Sequence, residues 1–242
     1  MSARIVCLVP SITELLCDLG LAEQLVGRTG FCVHPWETVR AISKVGGTKD
    51  LKLDKIRALA PTHVIVNVDE NRREDAEALR EFVPHVVVTH PLTPLDNLEL
   101  YRLLGGIFDR EEAAERLCVE FESEFASIAE RCWAAKKVLY LIWREPWMTV
   151  SSDTYISQML ALINWQTQPV GGEERYPEVD LDDYTVDRVL LSSEPFHFKR
   201  QHVAEVAALV PGAEVSLIDG EMTSWYGSRA IAGLRYLQEI GA

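Results

Sequence analysis

Short runs of consecutive apolar residues alternate along the chain with stretches whose apolar residues recur every three or four positions. Arg4 to Pro10 is a run of the buried-strand type, closed by Ser11-Ile12-Thr13-Glu14 at capping-box spacing, which predicts a helix from Ile12 to about Leu19 with Gly20 as its C′ residue. The alternation continues with a helix over Asp54 to Leu59, a strand over Thr62 to Val68, a helix over Arg72 to Phe82 and a strand over His85 to Thr89. Strands separated by helices pair in parallel and need both sheet faces covered. From Asp109 to about Ala134 there is neither Gly nor Pro, and Ala114, Cys118, Phe121, Phe125, Ile128 and Cys132 form one helical face. At about 1.5 Å per residue that helix would be roughly 39 Å long, enough to span a lobe.

A second alternation follows: strand Lys137 to Trp143, helix Thr154 to Ile163, strand Arg188 to Ser193, helix Gln201 to Leu209, strand Glu214 to Asp219 and helix Ser228 to Ile240. The acidic segment from Gln166 to Asp183, with two prolines and Gly171-Gly172, reads as a solvated surface loop. The expected fold is α/β, two Rossmann-like α/β lobes bridged by one long rigid α-helix. The lobes are expected at residues 1–108 and 137–242 and the linking helix at 109–136.

With 24 Lys+Arg against 37 Asp+Glu, the net charge of −13 works against phosphate backbones and anionic lipid, so nucleic acid is not an expected partner. No run is apolar enough for a membrane span. Five cysteines without CxxC spacing argue against a disulfide scaffold or a closed zinc site. No secretory leader is visible after Met1, and the chain as written reads as cytoplasmic; with a leader already removed it would be periplasmic or cell-surface.

In open α/β sheets ligands collect beyond the carboxyl ends of the strands. The residues there include Pro10-Ser11, Phe31 to Trp36, Glu70 and Asn71, Trp143 to Trp147, Glu194 to Phe198, and Glu221 to Arg229. Four of six tryptophans, Trp36, Trp143, Trp147 and Trp225, fall in these turns with Phe31, Phe196 and Tyr226, which suggests a large, flat, partly apolar ligand held by stacking. The alternative is that the rings cap the ends of the sheets. Cys32 and His34, two apart in an extended segment, are candidate metal ligands, or His34 an axial ligand to a chelated metal. Glu70, Glu145, Glu194 and Glu221 also sit at strand ends with Arg144 and Arg229 near in the pattern; these either form inter-turn ion pairs, Arg144 with Glu145 and Glu221 with Arg229, or bind polar substituents on a ligand rim. There is no P-loop, no GxGxxG, no GxSxG, no HExxH and no EF-hand loop.

The order of Arg4 to Leu16, Gly20-Leu21, Val26-Gly27-Arg28, Val45-Gly46-Gly47 and Leu53 to Ile65 resembles the class III periplasmic binding proteins, or helical-backbone metal receptors, which bind cobalamin and ferric siderophores for ABC importers. The resemblance implies two α/β lobes joined by a rigid helix, a ligand in the cleft between them, limited hinge motion and no catalysis. It places Phe31, His34, Trp36, Glu70, Asn71, Trp143, Arg144, Trp147, Glu194, Phe196, Trp225, Tyr226 and Arg229 at the ligand. It also implies an ABC permease as partner, with Glu74 as a docking acid of the first lobe. The expected ligand is cobalamin or another metal chelate, with no cofactor required and a monomeric chain. Unpaired cysteines and the Met1 start favour an intracellular member. The competing expectation is an intracellular metal-dependent enzyme using Cys32, His34 and a glutamate.

Overall fold

The computed structural model describes residues 2–172 and 174–242. Met1, one ground for the intracellular expectation, and Glu173, within the acidic segment, lie outside the described residues. The chain divides into two compact units: 1–91, 96–119 and 226–229 form the first, and 92–95, 120–225 and 230–242 the second.

The first unit holds strands β1 (Ile5–Cys7), β2 (Leu25–Arg28), β3 (Ser43–Lys44), β4 (His63–Asn67) and β5 (His85–Thr89). Between them run helices α1 (Pro10–Asp18), α2 (Trp36–Val39), α3 (Leu53–Ala58) and α4 (Arg73–Arg80), and α5 (Asp96–Ile107) follows β5. The sheet is parallel with order β3-β2-β1-β4-β5, so the chain winds outward from β1 in both directions and leaves a switch point between β1 and β4. One face packs Val6, Leu8, Val64 and Val66 against Ile56, Leu79 and Val83, all buried. α1 begins at Pro10 rather than Ile12: Ser11 lies inside the helix, Val9 is the N-cap without a side-chain bond, and Pro10 occupies a first-turn position where its missing N–H costs nothing. Gly20 supplies the left-handed residue after α1, with φ +76°.

The predicted helix of about 26 residues is α6 (Glu111–Ala129), 19 residues and roughly 28 Å. A left-handed Asp109, φ +55°, separates it from α5, and the two units divide between Val119 and Glu120, within α6. The apolar spacing continues to Cys132, but Cys132 is exposed, so the pattern outlasts the helix.

In the second unit α6 leads to β6 (Lys136–Leu141), α7 (Tyr155–Ala161), β7 (Trp165–Thr167), β8 (Arg188–Ser192), α8 (Arg200–Leu209), β9 (Glu214–Ile218), α9 (Gly220–Ser224) and α10 (Arg229–Ile240). Its parallel sheet has order β7-β6-β8-β9, with a switch point between β6 and β8. Leu139, Leu141, Val189 and Leu191 pack on Phe198, Val206 and Val210. The segment read as a solvated loop instead opens with edge strand β7. Further on it is tied to the chain beyond β6, Thr149 and Ser151 donating to the carbonyls of Pro177 and Arg175 and Val179 to that of Trp147.

Candidate functional site

In the first unit the switch point is occupied by the protein itself. Asn71 accepts from the backbone N–H of Asn67 at 2.9 Å and donates to the carbonyls of Thr48 at 2.9 Å and Leu8 at 3.4 Å. Its amide therefore ties the carboxyl ends of β1 and β4 together, a structural role where a ligand contact was expected. Glu70 is half-buried next to Asp69, which lies 3.6 Å from the His90 ring.

The loop after β2 carries the exposed rings: Phe31 is 61% and Trp36 51% exposed. The loop is anchored from within. Arg28 is fully buried and donates from Nε to Val39 O at 2.6 Å and from Nη1 to Thr29 O at 3.0 Å, spanning both ends of the loop. Cys32 is also buried, its sulfur 3.1 Å from the hydroxyls of both Thr13 and Thr29. Burial pushes the Cys32 thiol up, against thiolate formation, although the Thr13 and Thr29 hydrogen bonds oppose the shift. Among the described residues no group of three or more His, Cys, Asp or Glu side chains is disposed to hold a metal ion. Cys32 is a loop anchor, and the metal-enzyme expectation finds no support; His34 sits half-buried in the same loop.

Arg229 forms a two-pronged pair with Glu14 of α1, Nε to Oε2 at 2.7 Å and Nη2 to Oε1 at 2.6 Å, both side chains largely buried. Tyr226 is buried, and burial, then the charge of Glu70, raises its hydroxyl well above the ordinary tyrosine value. Its neighbour in sequence, Gly227, donates to Asn97 at 2.7 Å and accepts from the Tyr101 hydroxyl at 2.9 Å.

In the second unit the switch point is aromatic. Phe196 N–H donates to Ile142 O, joining the ends of β6 and β8. The Phe196 ring meets Trp143 edge-on at 5.7 Å and Phe198 at 4.7 Å, while Trp147 stacks parallel to Phe198 at 6.3 Å. His202 of α8 lies 5.6 Å from Phe196 and 5.5 Å from Phe198. Trp147 and Phe196 pack on the sheet core and Phe198 belongs to it, so here the rings do cap the sheet, and Trp143 alone of these is strongly exposed, at 41%. Arg144 pairs with Glu145, as the sequence suggested, but also donates to Glu205 of α8 at 2.8 Å and lies over Trp147 at 5.8 Å.

Trp225 is also buried; its indole N–H donates to Glu194 Oε1 at 2.7 Å, and the Ser224 hydroxyl reaches the same oxygen at 2.7 Å. Burial raises the Glu194 carboxyl above the usual carboxylate range against those two hydrogen bonds, with Glu221 and Asp219 adding to the rise. Sequence reasoning missed Glu14, Glu205 and His202. Each lies on a helix, and the arginine partners of Glu14 and Glu205 are 215 and 61 positions away, beyond what local pattern can show. A cavity of about 760 Å³ lies at the opposite, amino-terminal end of this sheet, lined by Lys136, Lys137, Trp165, Gln166 and Asp187 among others.

Two parallel sheets with aromatic carboxyl-end loops are the setting for comparison with known proteins. A sequence model described as periplasmic binding protein matches residues 5–177. The chain belongs to that family. The periplasmic binding proteins are solute-binding components of ABC transporters and not enzymes. Among curated relatives, a vitamin B12-binding protein of Vibrio campbellii is 25% identical over 184 residues, covering 74% of this chain and 66% of the relative. Another, from Pectobacterium carotovorum, is 25% identical over 163 residues, covering 66% and 59%. The chain thus matches about three fifths to two thirds of the length of these relatives. Among solved structures, the periplasmic vitamin B12-binding protein BtuF of Vibrio cholerae superposes with a TM-score of 0.81 at 17% identity, covering 98% of this chain and 95% of that one. The apo periplasmic heme-binding protein RhuT of a Roseiflexus species does so at 0.82 and 21% identity, covering 99% and 97%. These likenesses establish the fold, the two-lobed α/β architecture of the family.

Proposed function

We propose that the chain binds a metal chelate, a corrinoid or related macrocycle, without turning it over, as the substrate-binding component of an ABC importer or as an intracellular relative of one. The observation that carries this reading is the exposed ring set, Phe31 and Trp36 in one unit and Trp143 in the other, at the carboxyl ends of parallel strands where α/β folds collect ligands. Kinship with proteins named for binding vitamin B12 and heme supports it. His34, half-buried beside the exposed rings, is the proposed axial or hydrogen-bonding group.

All five cysteines are thiols, which supports a reducing compartment. Among the described residues no helix is long and apolar enough to cross a membrane.

Titration of the purified chain with cyanocobalamin and with hemin, followed by absorbance and calorimetry, tests the reading. The expected result is a shift of the corrin or Soret bands with saturable heat. No spectral change and no heat from either chelate at tens of micromolar overturns it.

A further inference from the structure

Glu194 is fixed on one side and open on the other. Oε1 accepts from both Ser224 Oγ and Trp225 Nε1, each at 2.7 Å, while Oε2 receives no hydrogen bond among the described residues and is not among the enclosed polar atoms. The seat for this side chain is built from beneath. Ser192 Oγ donates to the Glu194 carbonyl at 2.6 Å, and the buried Tyr140 hydroxyl donates to Ser192 Oγ at 3.0 Å. Gly220 leaves the room: a Cβ there would lie 2.7 Å from Glu194 Cγ and 2.4 Å from Ser192 Oγ.

This is an expensive way to hold a carboxyl. It is largely desolvated, lies near Glu221 and Asp219, and among the described residues its donors are the neutral Ser224 and Trp225. The arginines named at the strand ends are already matched to acids, Arg144 to Glu145 and Glu205, Arg229 to Glu14. A ligand carboxylate arriving at Oε2 would meet the charge of Glu194 itself, with Glu221 and Asp219 nearby. An amide N–H or a hydroxyl would meet a preorganised acceptor whose geometry needs no adjustment on binding.

We propose that Glu194 is a specificity-determining residue: its open oxygen accepts a hydrogen bond from an amide or hydroxyl on the rim of the bound chelate and rejects carboxylate-bearing rims. The inference rests on the metal-chelate reading above and narrows it to macrocycles edged with hydrogen-bond donors. Sites built to pair with a donor discriminate strongly, because the wrong partner leaves their buried polar groups unsatisfied.

The test compares cyanocobalamin, whose rim carries primary amides, with hemin, whose rim carries propionates, on the full chain and on Glu194→Gln and Ser224→Ala. The natural chain should prefer cyanocobalamin. Glu194→Gln keeps the shape but turns the open oxygen into a donor; it should weaken cyanocobalamin by about 10- to 100-fold and tighten hemin. Ser224→Ala keeps the charge and loosens one clamp, and should weaken cyanocobalamin about fivefold with hemin unchanged, a result that does not depend on Glu194→Gln folding. A preference unmoved by either variant, with both chelates still bound, overturns the role of Glu194 and leaves the metal-chelate reading standing. Binding of neither chelate to the natural chain overturns both.

Discussion

The carboxyl-end loops of the two units use aromatic residues in opposite ways. In the first unit the loop between β2 and β3 pushes Phe31 and Trp36 into solvent and is held by a buried base and a buried thiol, Arg28 and Cys32. In the second, Phe196, Phe198, Trp147 and His202 form a packed cluster over the sheet end, leaving Trp143 as its exposed member. A ring at a strand end is therefore not in itself a ligand contact. What decides is whether the sheet beneath needs covering: β1 and β4 are tied by the Asn71 amide, whereas the crevice between β6 and β8 is filled by rings.

Substitutions can break this contrast. The largest effect should come from Arg28→Ala, which removes a fully buried side chain together with its hydrogen bonds to the carbonyls of Val39 and Thr29. A loss of about 3 to 5 kcal/mol in urea unfolding is expected, by analogy with other broken buried polar arrangements. A loss below about 1 kcal/mol would mean that the loop is held by something else. Phe198→Ala should cost about 3 to 5 kcal/mol through the cavity left in the second core.

The matching change in the first unit, Trp36→Ala, should leave stability within about 0.5 kcal/mol, because half of the ring is already in water. It should instead weaken chelate binding by about tenfold in calorimetry. Equal stability losses for Phe198→Ala and Trp36→Ala would erase the distinction between packed and presented rings.

A smaller effect concerns pH. Burial raises the Glu194 carboxyl, so the folded chain binds that proton more tightly than the unfolded one. Its contribution is fully favourable below the ordinary glutamate value of about 4.3 and is lost as pH rises through the folded value. Relative to Glu194→Gln, the natural chain should lose stability on going from pH 4 to pH 7. A constant difference between the two unfolding midpoints over that range would show that Glu194 titrates as an exposed acid. The smallest effect is expected for Cys132→Ser, an exposed position beyond α6, with a change within about 0.5 kcal/mol.

Most of the fold was legible because parallel strands buried on both faces must be continuously apolar. His85–Thr89 falls where the sequence places it, and His63–Asn67, Arg188–Ser192 and Glu214–Ile218 lie one residue or less inside the predicted limits at each end. Ser43–Lys44 and Trp165–Thr167 were not legible; they are short edge strands whose pairing rather than composition defines them. α5 and α9 were missed for different reasons. Gly105 and Gly106 weaken the helical pattern of α5, and α9 is a single turn, capped by Asp219, inside what reads as a loop.

The sequence by itself determined the family, the two alternating α/β patterns and the loops in which chemistry can sit, because these follow from periodicity and from the order of short motifs. Tertiary structure decided what each of those residues does. It turned Asn71 into a strap between strands, Cys32 into an anchor, Arg229 into the partner of Glu14 and Phe196 into packing, and it left Glu194 clamped with one oxygen open. The physical reason is range. A side chain's role is set by partners 19, 63 or 215 positions away in sequence, and only the folded chain brings those partners within hydrogen-bond distance.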